Sequence, residues 1–190
     1  MPTTALLVMD VQNAIVGRVP EAADALLAAL DRATTAARAH GIPVVYVRVA
    51  FRPGSLDVSP RNKAFAALAG SAPLLLDDPS TQIHPVVAPG GQDVVVVKKR
   101  VSAFVGSDLE VVLRSMDVSS LVLCGIATSG VVLSTLRQAA DLDYRVTVLS
   151  DGCADADPEV HRVLLEKVFP RQAEVVTTEE WVGSLDGRAD

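Results

Sequence analysis

Six short apolar runs recur along this 190-residue chain, with helical patterning in the intervals between them. They are Ala5–Met9, Val44–Val47, Asp93–Val97, Leu121–Cys124, Val146–Leu149 and Glu174–Val176. Runs that stay apolar instead of alternating belong to strands buried on both faces, and intervening helices supply the crossovers that parallel strands need. The pattern predicts an α/β fold of three layers, α/β/α, around a six-stranded, doubly wound parallel sheet of the Rossmann-like kind. Hydrophobic residues make up 49% of the chain and aromatics only 4%. That balance suits Val-rich strands under Ala- and Leu-rich helices. With no repeat, low-complexity tract or internal linker, residues 1–190 read as one domain.

Local signals mark the helices. Glu21 to His40 is an Ala/Leu-rich helical stretch stopped by Gly41 and Pro43. Ser107–Glu110 and Thr177–Glu180 both fit a capping box, in which side chains satisfy the free amides of a first turn. Asp157 followed by Pro158 reads as an N-cap with proline at the first helical position. The irregular stretch from Arg48 to Pro89 is expected to cover one rim of a site, and the tail after Leu185 to fray.

Charge and cysteine content exclude several classes of function. A formal net charge of −6 gives no footprint for nucleic acid or an anionic membrane, which would repel it. Cys124 and Cys153 show no paired or metal-ligand spacing, so they read as reduced thiols of a cytoplasmic protein. The opening Met1-Pro2-Thr3-Thr4 lacks a charged leader, and Ala5–Met9 is too short to span a membrane. His40, His84 and His161 are scattered, and His40 and His161 are expected at the surface instead of on a metal. Neither a dinucleotide fingerprint, nor a P-loop, nor a G-x-S-x-G elbow occurs.

Ligands of open α/β sheets bind at the carboxyl ends of the strands. Strand one delivers Asp10-Val11-Gln12-Asn13 there, strand three Lys98-Lys99-Arg100, and strand four the turn Gly125 to Val131. A carboxylate directly after a buried strand loses hydration, which raises its pKa toward acid or base work; a plain cap or loop hydrogen bond is the alternative. Position favours one of the three cations turning inward without choosing among them. Amides of the strand-four turn could hold an anion or a developing oxyanion, or simply start the next helix.

Taken in order, these segments resemble the isochorismatase-like hydrolases, also called cysteine hydrolases, over Leu6 to about Val176. Asp10-Val11-Gln12 is similar to the family's opening aspartate motif. Lys98, four residues before Ser102-Ala103-Phe104, falls where the family's active-site lysine does. Gly125-Ile126-Ala127-Thr128 resembles the turn before the nucleophile, and Asp151-Gly152-Cys153-Ala154 a later strand-end signature. The resemblance implies Asp10 as catalytic acid/base and Lys98 as its partner. It also implies a substrate-binding or oxyanion set of Gln12, Ile126, Ala127, Thr128, Val131 and Phe104, with a cis peptide at Ile126–Ala127. Val131 stands where the nucleophilic cysteine is expected. True isochorismatases resemble that arrangement, cleaving an enol ether by protonation from a carboxylic acid and attack by water.

The resemblance therefore implies a hydrolase for a small, anionic or carbonyl-bearing substrate such as isochorismate, with no cofactor and no metal. It further implies a homo-oligomer, dimer or tetramer. Two alternatives stand beside it. One is a catalytically silent small-molecule binding or assembly protein. The other is an amidase with its thiol relocated to Cys153, which would need a base and an oxyanion turn around the sulfur.

Overall fold

The computed structural model describes residues 3–71 and 74–187. The chain opens on β1 (Thr3–Met9), followed by a short α1 (Asn13–Val16) and the long α2 (Ala23–Ala39). Next come β2 (Val44–Val49), α3 (Lys63–Ser71), β3 (Val94–Lys98) and α4 (Leu109–Ser115). The second half runs through β4 (Val118–Ile126), α5 (Leu133–Asp141), β5 (Arg145–Ala154), α6 (Pro158–Val163), β6 (Glu174–Val176) and α7 (Thr178–Asp186). Between β4 and α5 lies a wide turn, Thr128–Val132.

All six strands pair in parallel, in the order β3-β2-β1-β4-β5-β6. The expected three-layer, doubly wound architecture is therefore present. Strand β1 shows why its sequence is apolar from Ala5 to Met9. Leu6 and Val8 pack with Leu26, Leu30 and Trp181 on the α2/α7 side. Ala5, Leu7 and Met9 pack with Leu109, Leu113 and Leu136 on the α4/α5 side. Both faces of the strand are core, so neither tolerates a polar side chain.

Two of the three predicted helix starts form as read. Thr177 Oγ1 accepts from the Glu180 amide (3.2 Å), and the Glu180 carboxylate accepts from the Thr177 amide (2.7 Å), closing the box. Asp157 accepts from the amides of Glu159 and Val160, with Pro158 next in line. The box at Ser107–Glu110 is not built. Asp108 is the N-cap of α4 without a side-chain bond, while the Ser107 hydroxyl donates back to Ala103 O at 2.6 Å. The preceding loop offers that hydroxyl a carbonyl, and this local bond outcompetes the box.

Strand β5 also exceeds its apolar core, running to Ala154, so Cys153 lies within the strand instead of after it. Beyond Leu185, helix α7 continues through Asp186, and residues 188–190 lie outside the described residues. From the irregular stretch between β2 and β3, Phe65 and Leu74 are drawn into the core. No helix among the described residues is long and apolar enough to cross a membrane.

Candidate active site

The order of strands reverses between β1 and β4, and there the carboxyl ends of the strands open into a crevice, as expected at such a switch point. Asp10 follows β1 directly and sits in the left-handed region (φ 57), a conformation short polar side chains tolerate better than most. Its amide still bonds to Val47 O at 2.7 Å, so the chain turns sharply while remaining tied to β2. Beside it, the penultimate residue of β4 is Gly125, whose φ of 137 only glycine adopts with ease. A β-carbon there would lie 2.0 Å from Met9 O, so this glycine is what lets β4 close against β1 beneath Asp10. The next peptide, Ile126–Ala127, is cis.

Of the three cations after β3, Lys98 turns inward. It reaches past β2 to Asp10, placing Nζ 2.9 Å from Oδ2, with Lys98 1% and Asp10 5% exposed. The same ammonium donates to Arg100 O (2.9 Å) and Val101 O (3.1 Å). Lys99 and Arg100 turn the other way, onto Asp57 and its backbone. The second carboxyl oxygen of Asp10, Oδ1, is buried and has no hydrogen-bond partner. Burial pushes the Asp10 carboxyl above its ordinary pKa, and this outweighs the downward pull of the Lys98 ammonium.

This pair belongs to the lining of a cavity of about 300 Å3. Ile126, Ala127, Gly130 and Val131 form one wall, and Ile15, Arg18 and Val19 form another. Phe65, Leu68 and Leu74 come from the segment expected to cover a rim. The cavity thus gathers five of the eight residues anticipated for the site: Asp10, Lys98, Ile126, Ala127 and Val131.

The other three lie outside its lining. Gln12 is fully buried, and its amide is spent clamping loops: Nε2 donates to Val49 O and Thr81 O, and Oε1 accepts from the Val49 amide. Phe104 stacks near Tyr144, 6.1 Å between ring centres, in the α4/α5 layer. Thr128 is buried, with its hydroxyl 2.8 Å from His161 Nδ1. His161, expected at the surface, is half-buried and braces this turn.

The turn itself has fewer spare donors than its sequence suggested. The Ser129 amide is bound by the Asp155 carboxylate (2.7 Å), and those of Gly130 and Val132 by Ala127 O. Neither thiol lines the cavity. Cys124 is buried in β4 and donates to Leu7 O. Burial pushes the Cys153 thiol up to about 12, and that of Cys124 well above its ordinary value. Among the described residues, no three His, Cys, Asp or Glu side chains are grouped to hold a metal ion.

Ile15, Arg18 and Val19 were not anticipated from the sequence, and the segment expected at the rim was placed there without naming Val49, Phe65, Leu68 or Leu74. Phe65 and Leu68 are three apart, a spacing that could have flagged an apolar helix face. Nothing local distinguishes Arg18 from any exposed arginine.

Comparison with known proteins agrees with this geometry. The isochorismatase domain family matches residues 4–180. The isochorismatase family protein YecD of Escherichia coli O157:H7 is 32% identical over 96% of this chain and 96% of its own length. A ureidoacrylate amidohydrolase of Pseudomonas syringae pv. syringae is 30% identical over 96% of this chain and 81% of its own. The structure of an isochorismatase family protein from Burkholderia thailandensis superposes with a TM-score of 0.88 at 31% identity, covering 98% of this chain and 97% of that one. A domain match across nearly the whole length, on the same doubly wound sheet, establishes that the chain belongs to the isochorismatase family of hydrolases.

Proposed function

We propose that the protein hydrolyses a small anionic substrate by general acid catalysis from Asp10, without a thiol nucleophile. The enol ether of isochorismate is the most concrete substrate. One observation carries the reading: a buried carboxyl in the cavity wall with one oxygen on Lys98 and the other unpartnered. A buried polar atom without a partner costs stability, so it is better understood as reserved for a proton or a substrate atom.

In this mechanism the protonated carboxyl of Asp10 gives its proton to the vinyl carbon of the enol ether. The oxocarbenium-like centre that results is attacked by water, which releases a proton to the Asp10 carboxylate and restores the acid. The hemiketal then collapses to pyruvate and the dihydroxy acid. Lys98 orients the acid, and Val131 contributes only an apolar wall. Acyl transfer through sulfur would need a thiol in the cavity wall, and neither Cys124 nor Cys153 lines it. The family resemblance implies that this chemistry takes place in a cytoplasmic homo-oligomer, dimer or tetramer.

Iodoacetamide tests the absence of a thiol nucleophile. The folded protein at neutral pH is expected to keep its rate of pyruvate release and gain no carboxamidomethyl mass. Both thiols are buried, with pKa values pushed upward, so the reactive thiolate is scarce. Stoichiometric alkylation of Cys153 with loss of activity would overturn the reading in favour of a relocated thiol.

A further inference from the structure

The cavity that holds Asp10 and Lys98 contains a third charged group. Arg18 lies in its wall and is exposed, on the turn that follows α1. That turn is firmly tied: the Gly17 amide bonds to Asn13 O, that of Arg18 to Ile15 O (3.0 Å) and that of Val19 to Val16 O (3.1 Å). Ile15 and Val19 on either side are buried and share the cavity wall, so the backbone under Arg18 is anchored. Its guanidinium, by contrast, has no hydrogen bond or ion pair with any described residue.

The other cation of the cavity, Lys98, is committed. An ammonium has three donors, and Lys98 has three acceptors in Asp10 Oδ2, Arg100 O and Val101 O. It therefore has none left for a substrate anion. Asp10 is the only carboxyl in the wall, so nothing acidic there competes for the guanidinium. Ile15, Val19, Phe65 and Leu68 share the lining with the buried acid and the exposed arginine and make it largely apolar.

We infer that Arg18 is the anion anchor of this cavity, binding the carboxylate of a substrate whose compact apolar body fills the space toward Asp10. This deepens the function proposed above and rests on the same cavity. Recognition of a substrate carboxylate then falls to Arg18, and Lys98 is left to orient Asp10. The planar fork of a guanidinium fits a carboxylate through two parallel bonds, which a single committed ammonium cannot offer. With Asp10 in its acid form, the wall carries two positive groups, Lys98 and Arg18, on a protein of net charge −6. An anion is thus drawn to this one opening.

Benzoate and benzamide, alike in shape and different in charge, test the assignment by calorimetric titration of the intact native protein at neutral pH. The native protein is expected to bind benzoate more tightly than benzamide. Arg18→Ala should weaken benzoate by roughly tenfold to a hundredfold, the range of a charge-assisted bond, while leaving benzamide within about twofold. Arg18→Lys should recover part of the loss, since charge returns without the fork. Unchanged benzoate affinity in Arg18→Ala overturns the assignment, as does a native protein that binds benzoate no better than benzamide. Because binding is read without turnover, failure of acid chemistry at Asp10 would leave this result standing, and failure here would leave that chemistry untouched.

Discussion

Asp10→Asn is expected to lower kcat by about 10^2 to 10^4-fold, the usual contribution of a positioned general acid. Asparagine keeps the shape of the side chain, and its amide oxygen can still accept from Lys98, which retains Arg100 O and Val101 O as well. The ammonium is therefore not stranded, and the variant should remain folded by circular dichroism. What it loses is the acidic proton. An amide N–H can donate a hydrogen bond but cannot transfer a proton to carbon. A protein that merely binds small molecules would behave differently: ligand affinity would shift on substitution, and neither form would turn anything over. Pyruvate release and ligand titration on the same two proteins separate these outcomes.

Gly125→Ala is expected to cost about 4 kcal/mol or more and to remove activity through the fold. The added β-carbon would stand 2.0 Å from Met9 O, 2.8 Å from Met9 C and 2.9 Å from Met9 N. All three are backbone atoms of a central buried strand, so no rotamer change relieves the clash. The φ of 137 adds a conformation that alanine resists. Relief requires β4 to part from β1 where Met9 pairs with Gly125, and that pair lies next to Asp10 and the cavity turn. For a chain of this size the loss amounts to a fall in Tm on the order of 10 °C, read by thermal melting. Gly41→Ala is the control: it also has positive φ (65), yet nothing lies within 4 Å of an added β-carbon, so only about 1–2 kcal/mol of backbone strain is expected.

How much of this the chain announces depends on the range of the interaction concerned. The strands were legible because burial on both faces writes itself into successive residues, Ala5–Met9 in β1, Val44–Val47 in β2 and Leu121–Ile126 in β4. The caps at Thr177 and Asp157 were legible because their partners lie within three residues. Ser107 shows the limit of such reading, since its hydroxyl chose a carbonyl from the loop before it. Asp10 and Lys98 were found from position and resemblance. That Lys98 would also be held by two carbonyls of its own loop left no mark in the sequence.

Gln12, Thr128 and Phe104 misled for a related reason. Each belongs to a motif beside the cavity, but its side chain is consumed by long-range partners at Val49 and Thr81, at His161, and at Tyr144 respectively. Arg18 was invisible for the opposite reason, since what distinguishes it is the company of residues distant along the chain. Motifs located the cavity; only packing showed which side chains face it.

The central claim is that Asp10 works in its protonated form. Burial raises its pKa above the ordinary value, so the reactive acid persists over a wider range and is lost as pH climbs through that raised pKa. The direct measurement is kcat for pyruvate release from isochorismate as a function of pH, over the range in which the protein stays folded. The rate is expected to be highest on the acid side and to fall as pH rises. A rate that instead increases with pH across the same range would mean that a deprotonated group does the chemistry, and would contradict that claim.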